Sequence, residues 1–282
     1  MRSLVLGAAS RLGVELLAQL PDAVGLTREQ LSVTDLGGLD RALQEHSADT
    51  VFNCAAFDAV DGAESQQDAA YQVNAQGAFN VAIATARRGA RLVHFSTNYV
   101  FEGKLERPYV ESDDATALSV YGKSKLEGER LVSMTMPGAL VLRTCALFGG
   151  RADTSRWSFP ERILEQARRG ERIRVVSDQT VNPTYRPDLA AMAIALAAGN
   201  LTGVVHAVAA GCCAWDELAR AVLAASGVEA TVEGITSSEL AAPALRPANG
   251  CMESTRVAAL RPWRDALRDW AARRAAIGPH NP

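Results

Sequence analysis

The chain reads as an α/β protein: a doubly wound parallel sheet of the Rossmann type, with a smaller C-terminal α/β part. Three observations point to this class. An apolar strand at the N-terminus, Ser3-Leu4-Val5-Leu6, runs directly into a glycine-bearing turn and a helix. Short apolar strands then alternate with helical stretches, the pattern of βαβ units. A later strand-to-helix passage carries Ser96-Thr97 at the strand end and Tyr121 and Lys125 on the helix. The expected division is a Rossmann domain over 1–150, with 187–208 returning to it, and a substrate-binding part made of 151–186 and 209–282.

Length and composition limit the function classes. The 282 residues suffice for one large or two modest domains with a core. Hydrophobic residues make up 48% and charged residues 22%, an ordinary balance for a globular enzyme. A net charge of −3 offers no basic field, so nucleic acid is not an expected partner. No segment has the pattern of a signal peptide or of a bilayer span, so a membrane is not expected and a cytoplasmic location is. The five cysteines (Cys54, Cys145, Cys212, Cys213, Cys251) are odd in number, and the adjacent Cys212 and Cys213 suit neither a disulfide framework nor a zinc site. They read as reduced thiols. No His/Cys/Asp cluster has ligand spacing, and no metal is expected.

The first turn, Gly7-Ala8-Ala9-Ser10-Arg11-Leu12-Gly13, leads into a helix over 14–20. Small residues there let the backbone approach a pyrophosphate at a helix N-terminus, where unpaired N–H groups favour an anion. Gly7, Ser10, Arg11, Leu12 and Gly13 are therefore candidate dinucleotide ligands, with Ser10 in place of the usual middle glycine. The second strand, 23–26, ends in Thr27-Arg28. An acidic residue at that point would hold a ribose 2′-hydroxyl and mark NAD. A hydroxyl and a cation favour a 2′-phosphate, so NADP is expected, with NAD as the alternative. A helix over 35–48 precedes the buried strand Thr50–Asn53, which runs into Cys54-Ala55-Ala56-Phe57. Ala55 and Ala56 leave room for a cofactor ribose. One helical run is expected over 68–88, carrying Asn74 and Asn80 in structural roles.

The strand through Leu92-Val93-His94-Phe95 ends in Ser96-Thr97-Asn98-Tyr99. A polar loop over 106–116 follows, and a helix opens at Ser119-Val120-Tyr121-Gly122-Lys123-Ser124-Lys125. Tyr121 and Lys125, four apart, share a helix face about 6 Å apart along the axis. An ammonium beside a phenol favours the phenolate, so the Tyr121 pKa is expected to fall from about 10. Such a phenol can exchange a proton with a carbonyl oxygen while a hydride moves. A Tyr and a Lys one turn apart also occur on ordinary amphipathic helices. The strand-end Ser96-Thr97 and the glycine turn supply the context that a two-residue motif lacks.

Further motifs extend the pattern: Asn53-x-Ala55-Ala56-Phe57-x-x-Val60-Asp61, Ser96-Thr97-Asn98-Tyr99-Val100-Phe101-x-Gly103, Leu142-Arg143-Thr144, Asp178-Gln179-x-x-x-Pro183-Thr184-Tyr185, Asp188-Leu189-Ala190, Arg246-Pro247 and Trp263-Arg264-Asp265-Ala266-Leu267. Taken in order with Gly7-Ala8-x-x-x-Leu12-Gly13 and Tyr121-Gly122-Lys123-Ser124-Lys125, they cover almost the whole chain. The chain resembles the extended short-chain dehydrogenase/reductase family, and within it most resembles the dTDP-4-dehydrorhamnose reductases. The resemblance implies that Tyr121 is the general acid, that Lys125 binds the nicotinamide ribose and tunes Tyr121, and that Thr97 hydrogen-bonds the reacting oxygen. It also implies a substrate side formed by Phe57, Asn98, Tyr99, Ala146, Asn182 and Arg246, and a nucleotide-linked 4-keto-6-deoxy sugar as substrate.

Most departures from the family pattern fall on the substrate side. Asn98 stands where Asp is usual, Asp58 where Thr is, and Phe57 where Tyr is. Ser32 replaces an aspartate expected near the adenine, and Val181 a glycine. Ala146 takes the place of a tryptophan at the sugar site, which enlarges or reshapes that pocket. A sugar-nucleotide dehydratase is disfavoured because Asn98-Tyr99, rather than an Asp-Glu pair, follows Thr97. An epimerase of the same family and a non-catalytic NADP-binding regulatory subunit remain as alternatives, and a homodimer stays open. In the second half, helices are expected from 156 to 169 (with Trp157 as a base platform or a core anchor), over 188–198, over Trp215–Ala225 and over 263–275. Ile173–Val176 and 204–208 read as strands, the latter carrying a packing histidine, His206. The segment 233–249 reads as a loop capping the cleft.

Overall fold

A computed structural model of the chain describes residues 1–150 and 158–277; Trp157 lies outside them. Strands β1 (Ser3–Leu6), β2 (Val24–Leu26), β3 (Thr50–Asn53), β4 (Arg91–Thr97) and β5 (Leu140–Thr144) form a six-stranded sheet with the strand Gly203–His206. Its order is 203–206, β5, β4, β3, β1, β2, and every neighbouring pair is parallel. The chain steps from β1 outward to β2 and then returns to place β3 on the other side of β1. The crevice beyond the carboxyl ends of β1 and β3 is therefore the topological switch point, where ligands bind in such sheets.

In chain order the α-helices are α1 (Arg11–Gln19), α2 (Leu36–Glu45), α3 (Val60–Ser65), α4 (Gln67–Tyr71), α5 (Ala78–Arg87), α6 (Val120–Thr135), α7 (Phe159–Arg168), α8 (Arg186–Ala198), α9 (Trp215–Ala225), α10 (Ser237–Leu240) and α11 (Trp263–Ile277). Leu39, Leu43, Val81 and Val132 of α2, α5 and α6 pack on one face of the sheet against Leu4, Val51 and Leu92. Leu12, Leu16, Leu189 and Ala193 of α1 and α8 cover the other face against Val5, Phe52 and Phe95. Alternate residues of a strand face opposite ways, so each buried strand feeds both layers. A separate apolar cluster unites α7, α9 and α11 with the strand Ile173–Val176 through Ile163, Leu164, Leu218, Val222, Leu267 and Trp270.

Three expectations differ from what is found. The run over 68–88 is not one α-helix: α4 and α5 are joined by a π-helical turn, Gln72–Gly77. The wider turn seats Asn74, whose side chain accepts from Phe57 N at 2.9 Å and donates to Phe57 O at 3.1 Å and Ser124 Oγ at 3.0 Å. The segment 233–249 is partly regular. Val232–Ile235 pairs in parallel with Ile173–Val176, and α10 follows with a Thr236–Glu239 capping box. Cys212 and Cys251 are paired as a disulfide with Cα atoms 6.1 Å apart, so the reading of all five cysteines as reduced does not hold. Cys212 finds a partner 39 residues away, and the adjacent Cys213 stays a free thiol. Among the described residues no helix is long and apolar enough to cross a membrane.

Candidate active site

The glycine turn is built by close approach. Gly7 has φ +71°, and a Cβ there would lie 2.7 Å from the Ala55 nitrogen. Only glycine permits both that conformation and that contact. Ser10 caps α1, its hydroxyl accepting from Gly13 N at 3.0 Å, so serine does here what a middle glycine cannot. A cavity of about 290 Å³ opens above this turn. It brings together Ser10, Arg11, Leu12, Ala55, Ala56, Thr97, Asn98, Tyr99, Tyr121, Lys125 and Ala146 from among the residues singled out in the sequence.

The remaining candidates lie elsewhere. Gly7 and Gly13 form the turn itself. Thr27 and Arg28 sit just past the end of β2, outside the cavity wall, with Arg28 exposed. Phe57 packs behind the cavity in the same apolar group as Tyr121. Asn182 is buried, its amide donating to Ala209 O and Gly211 O and accepting from Met252 N. Those three bonds occupy it as a tie between loops, not as part of the wall. Arg246 pairs with Asp61 at 2.8 Å, a residue with no assigned role in the sequence reading. Burial works against the Arg246 charge, but Asp61 and Tyr99 outweigh it and raise its pKa.

Thr97 ends β4 with its hydroxyl accepting from Tyr99 N at 3.2 Å and donating to Asn98 Oδ1 at 3.4 Å. Ser119 caps α6, and Glu64 accepts from Val120 N at 2.9 Å, which fixes the helix start at the residue before Tyr121. The α6 helix lies tight against the π-helical turn, because a Cβ on Gly128 would overlap the Asn74 carbonyl oxygen. Beneath it, the buried pair Glu129–Arg143 (Nη2 to Oε2 2.7 Å, Nε to Oε1 3.0 Å) ties α6 to β5. Lys125 is buried, and its Nζ donates to Phe95 O at 2.7 Å. Tyr99 meets the Tyr121 ring edge-to-face at 5.5 Å.

The electrostatics revise one expectation. Burial raises the Tyr121 pKa, hydrogen bonding with Thr97 opposes this only in part, and Lys125 is not among the groups that act on it. Burial dominates, so the phenol stays protonated at neutral pH instead of moving toward phenolate. Burial also lowers Lys125, to about 8, against the upward pull of Glu129 and Cys54.

A dinucleotide fits this cavity on the chemistry of its wall. Ser96 Oγ, Thr144 Oγ1 and Arg186 Nε are all buried, all belong to residues lining the cavity, and none makes a hydrogen bond among the described residues. Buried polar atoms without partners are rare in finished structures, and three of them belong to residues around this one cavity. Of these, Arg186 carried no signal in the sequence beyond a charge at a helix start.

Residues 1–275 match the family model described as RmlD substrate binding domain. The chain belongs to that family. Its relatives include the spore coat polysaccharide biosynthesis protein SpsK of Bacillus subtilis (strain 168), 36% identical with 97% of this chain and 98% of the relative covered. A dTDP-4-dehydrorhamnose reductase of Mycobacterium tuberculosis is 38% identical, with 94% and 91% covered. Among solved structures, the dTDP-4-dehydrorhamnose reductase of Bacillus anthracis in complex with NADP superposes with a TM-score of 0.92 at 30% identity, covering 97% of this chain and 99% of that one. A UDP-glucose 4-epimerase of Thermotoga maritima, 16% identical with a TM-score of 0.80, shares the fold.

Proposed function

We propose that the protein is an NADPH-dependent reductase of a nucleotide-linked 4-keto-6-deoxy sugar. The observation that carries this reading is the convergence of Thr97, Tyr121 and Lys125 on one cavity above the glycine turn. The family and the NADP complex of a close structural relative support the same chemistry. NADPH, when bound, supplies a hydride to the carbonyl carbon. Charge then develops on the ketone oxygen, and Thr97 and Tyr121 are the hydroxyl donors that receive it. Tyr121 gives its proton to that oxygen, so the product is the 4-hydroxyl. A phenol kept protonated by burial suits the reducing direction, since it arrives with the proton the product needs. Lys125, charged at neutral pH and fixed on the Phe95 carbonyl, is placed to hold a ribose hydroxyl and to stabilise the tyrosinate left behind.

Arg246, held by Asp61 and facing Tyr99, is suited to the substrate diphosphate, and Ala146 leaves space where the family carries tryptophan. NADPH absorbance followed with a dTDP-linked 4-keto-6-deoxy sugar tests the reading. Stoichiometric NADPH loss with formation of the 4-hydroxy sugar is expected. Turnover of a nucleotide sugar without net NADPH loss would instead indicate the epimerase, and binding without any turnover the regulatory subunit.

A further inference from the structure

Arg186 opens α8 at the cavity wall, and its side chain is an anomaly for a protein interior. The residue is only 4% exposed. Its Nε is buried and makes no hydrogen bond among the described residues. A guanidinium taken out of water without full pairing is costly, and such a group is normally found bonded at both edges. Glu15 and Glu161 lie within Coulombic reach and favour its charge, yet burial and the nearby Arg11 outweigh them and lower its pKa to about 10. Arg11 depresses Arg162 of α7 in the same way. Arg186 and Arg11, the first residue of α1, line the same cavity, and the first turn of α1 contains no acidic residue. A buried arginine with an unbonded Nε, in a cavity wall beside a helix N-terminus, points to an anionic ligand in that cavity.

The cavity identifies that anion. Arg186 shares its wall with Ser10, Arg11 and Leu12 of the glycine turn and with Thr144 and Ala146. The phosphates of a dinucleotide sit over such a turn, at the start of the following helix. We propose that Arg186 binds the cofactor, its guanidinium pairing with the diphosphate bridge and closing over it from the α8 side. The planar fork of arginine matches two phosphate oxygens at once, which lysine does not. A 2′-phosphate would instead lie by Thr27 and Arg28, beyond the end of β2, and a substrate diphosphate by Arg246. This inference rests on the dinucleotide reading above.

Binding separates the two. Fluorescence titration and thermal unfolding of the whole chain are compared for wild type, Arg186→Gln and Arg186→Lys with NADPH, ADP-ribose, 2′-AMP, dTDP and inorganic pyrophosphate. Losing a charge-assisted pair should weaken NADPH and ADP-ribose by roughly ten- to a hundredfold in Arg186→Gln, with partial recovery in Arg186→Lys. 2′-AMP and dTDP should bind as to wild type, and the stabilisation by pyrophosphate should be lost. Without ligand, Arg186→Gln should melt at or above the wild-type temperature, because an incompletely paired buried charge has been removed. A lower unliganded melting temperature, equal NADPH affinity, or a proportional loss for 2′-AMP would overturn the proposal. A selective loss for dTDP would assign Arg186 to the substrate and overturn it as well. If wild type itself showed no response to NADPH, the functional reading would fail and the Arg186 assignment with it, whereas a wild-type response kept unchanged in Arg186→Gln refutes Arg186 alone.

Discussion

On the proposed function Lys125 has two demands on it: to remain charged for the ribose and for Tyr121 after proton transfer, and to be buried. The compromise is a pKa near 8, set by burial and relieved in part by Glu129 and Cys54. In the free enzyme the charged fraction falls as pH rises through that value. The pH profile of kcat/KM, which reports the free enzyme, should therefore decline with an apparent pKa of about 8 on its alkaline side. Lys125→Arg should remove that limb, since guanidinium stays charged throughout. A limb unchanged in Lys125→Arg would assign the titration to another group. At this scale the sequence revealed residue types and spacing but not pairing. The four-residue interval of Tyr121 and Lys125 is real, yet the direction of the Tyr121 shift is set by its depth in the fold, which is not local. Arg186 and Asp61 were unreadable for the same reason: a charge at a helix start means one thing in water and another in a wall.

At the scale of elements, the site is a matter of how α6 is fixed over the sheet. Its N-terminus is pinned by Ser119 and Glu64, its middle by contact with Asn74, and its underside by the Glu129–Arg143 pair. Both side chains of that pair are at most 6% exposed, so removing one partner leaves the other charge buried. Glu129→Ala should destabilise the fold by about 3–5 kcal/mol in denaturant unfolding, whereas exposed pairs such as Arg2–Asp49 contribute little. A loss below about 1 kcal/mol would mean that water reaches the pair. Elements with local signals were legible: the apolar runs of β1, β3 and β4, and the capped start of α6. The π-helical turn was not, because one extra residue per turn leaves no mark on a helical pattern. Nor was Val232–Ile235, whose Val-Glu-Gly-Ile has no apolar run and becomes a strand only by pairing with Ile173–Val176.

Over the whole molecule, the loop after β4 is bound to the far edge of the sheet by Glu111. Burial alone would raise this carboxyl, but bonds from His206 N, Ser254 Oγ and Thr255 N hold it down at about 2. The unfolded chain therefore binds the proton more readily between roughly pH 4.5 and 2, and stability from this clamp is lost as pH falls through that window. Glu111→Gln should flatten part of the acid limb of the melting temperature while leaving NADPH binding unaltered. The fold class itself was legible at this scale because strand–helix alternation and a switch-point turn recur along the chain, while the closure of the far end by Cys212–Cys251 depends on distant partners. The account as a whole depends on the Tyr121 hydroxyl reaching a ketone held in the cavity. The direct measurement is NADPH affinity and single-turnover NADPH oxidation, with the dTDP-linked 4-keto-6-deoxy sugar, in wild type and Tyr121→Phe. The account predicts unchanged affinity and a rate lower by about a hundredfold or more; a Tyr121→Phe enzyme that oxidises NADPH at the wild-type rate would contradict it.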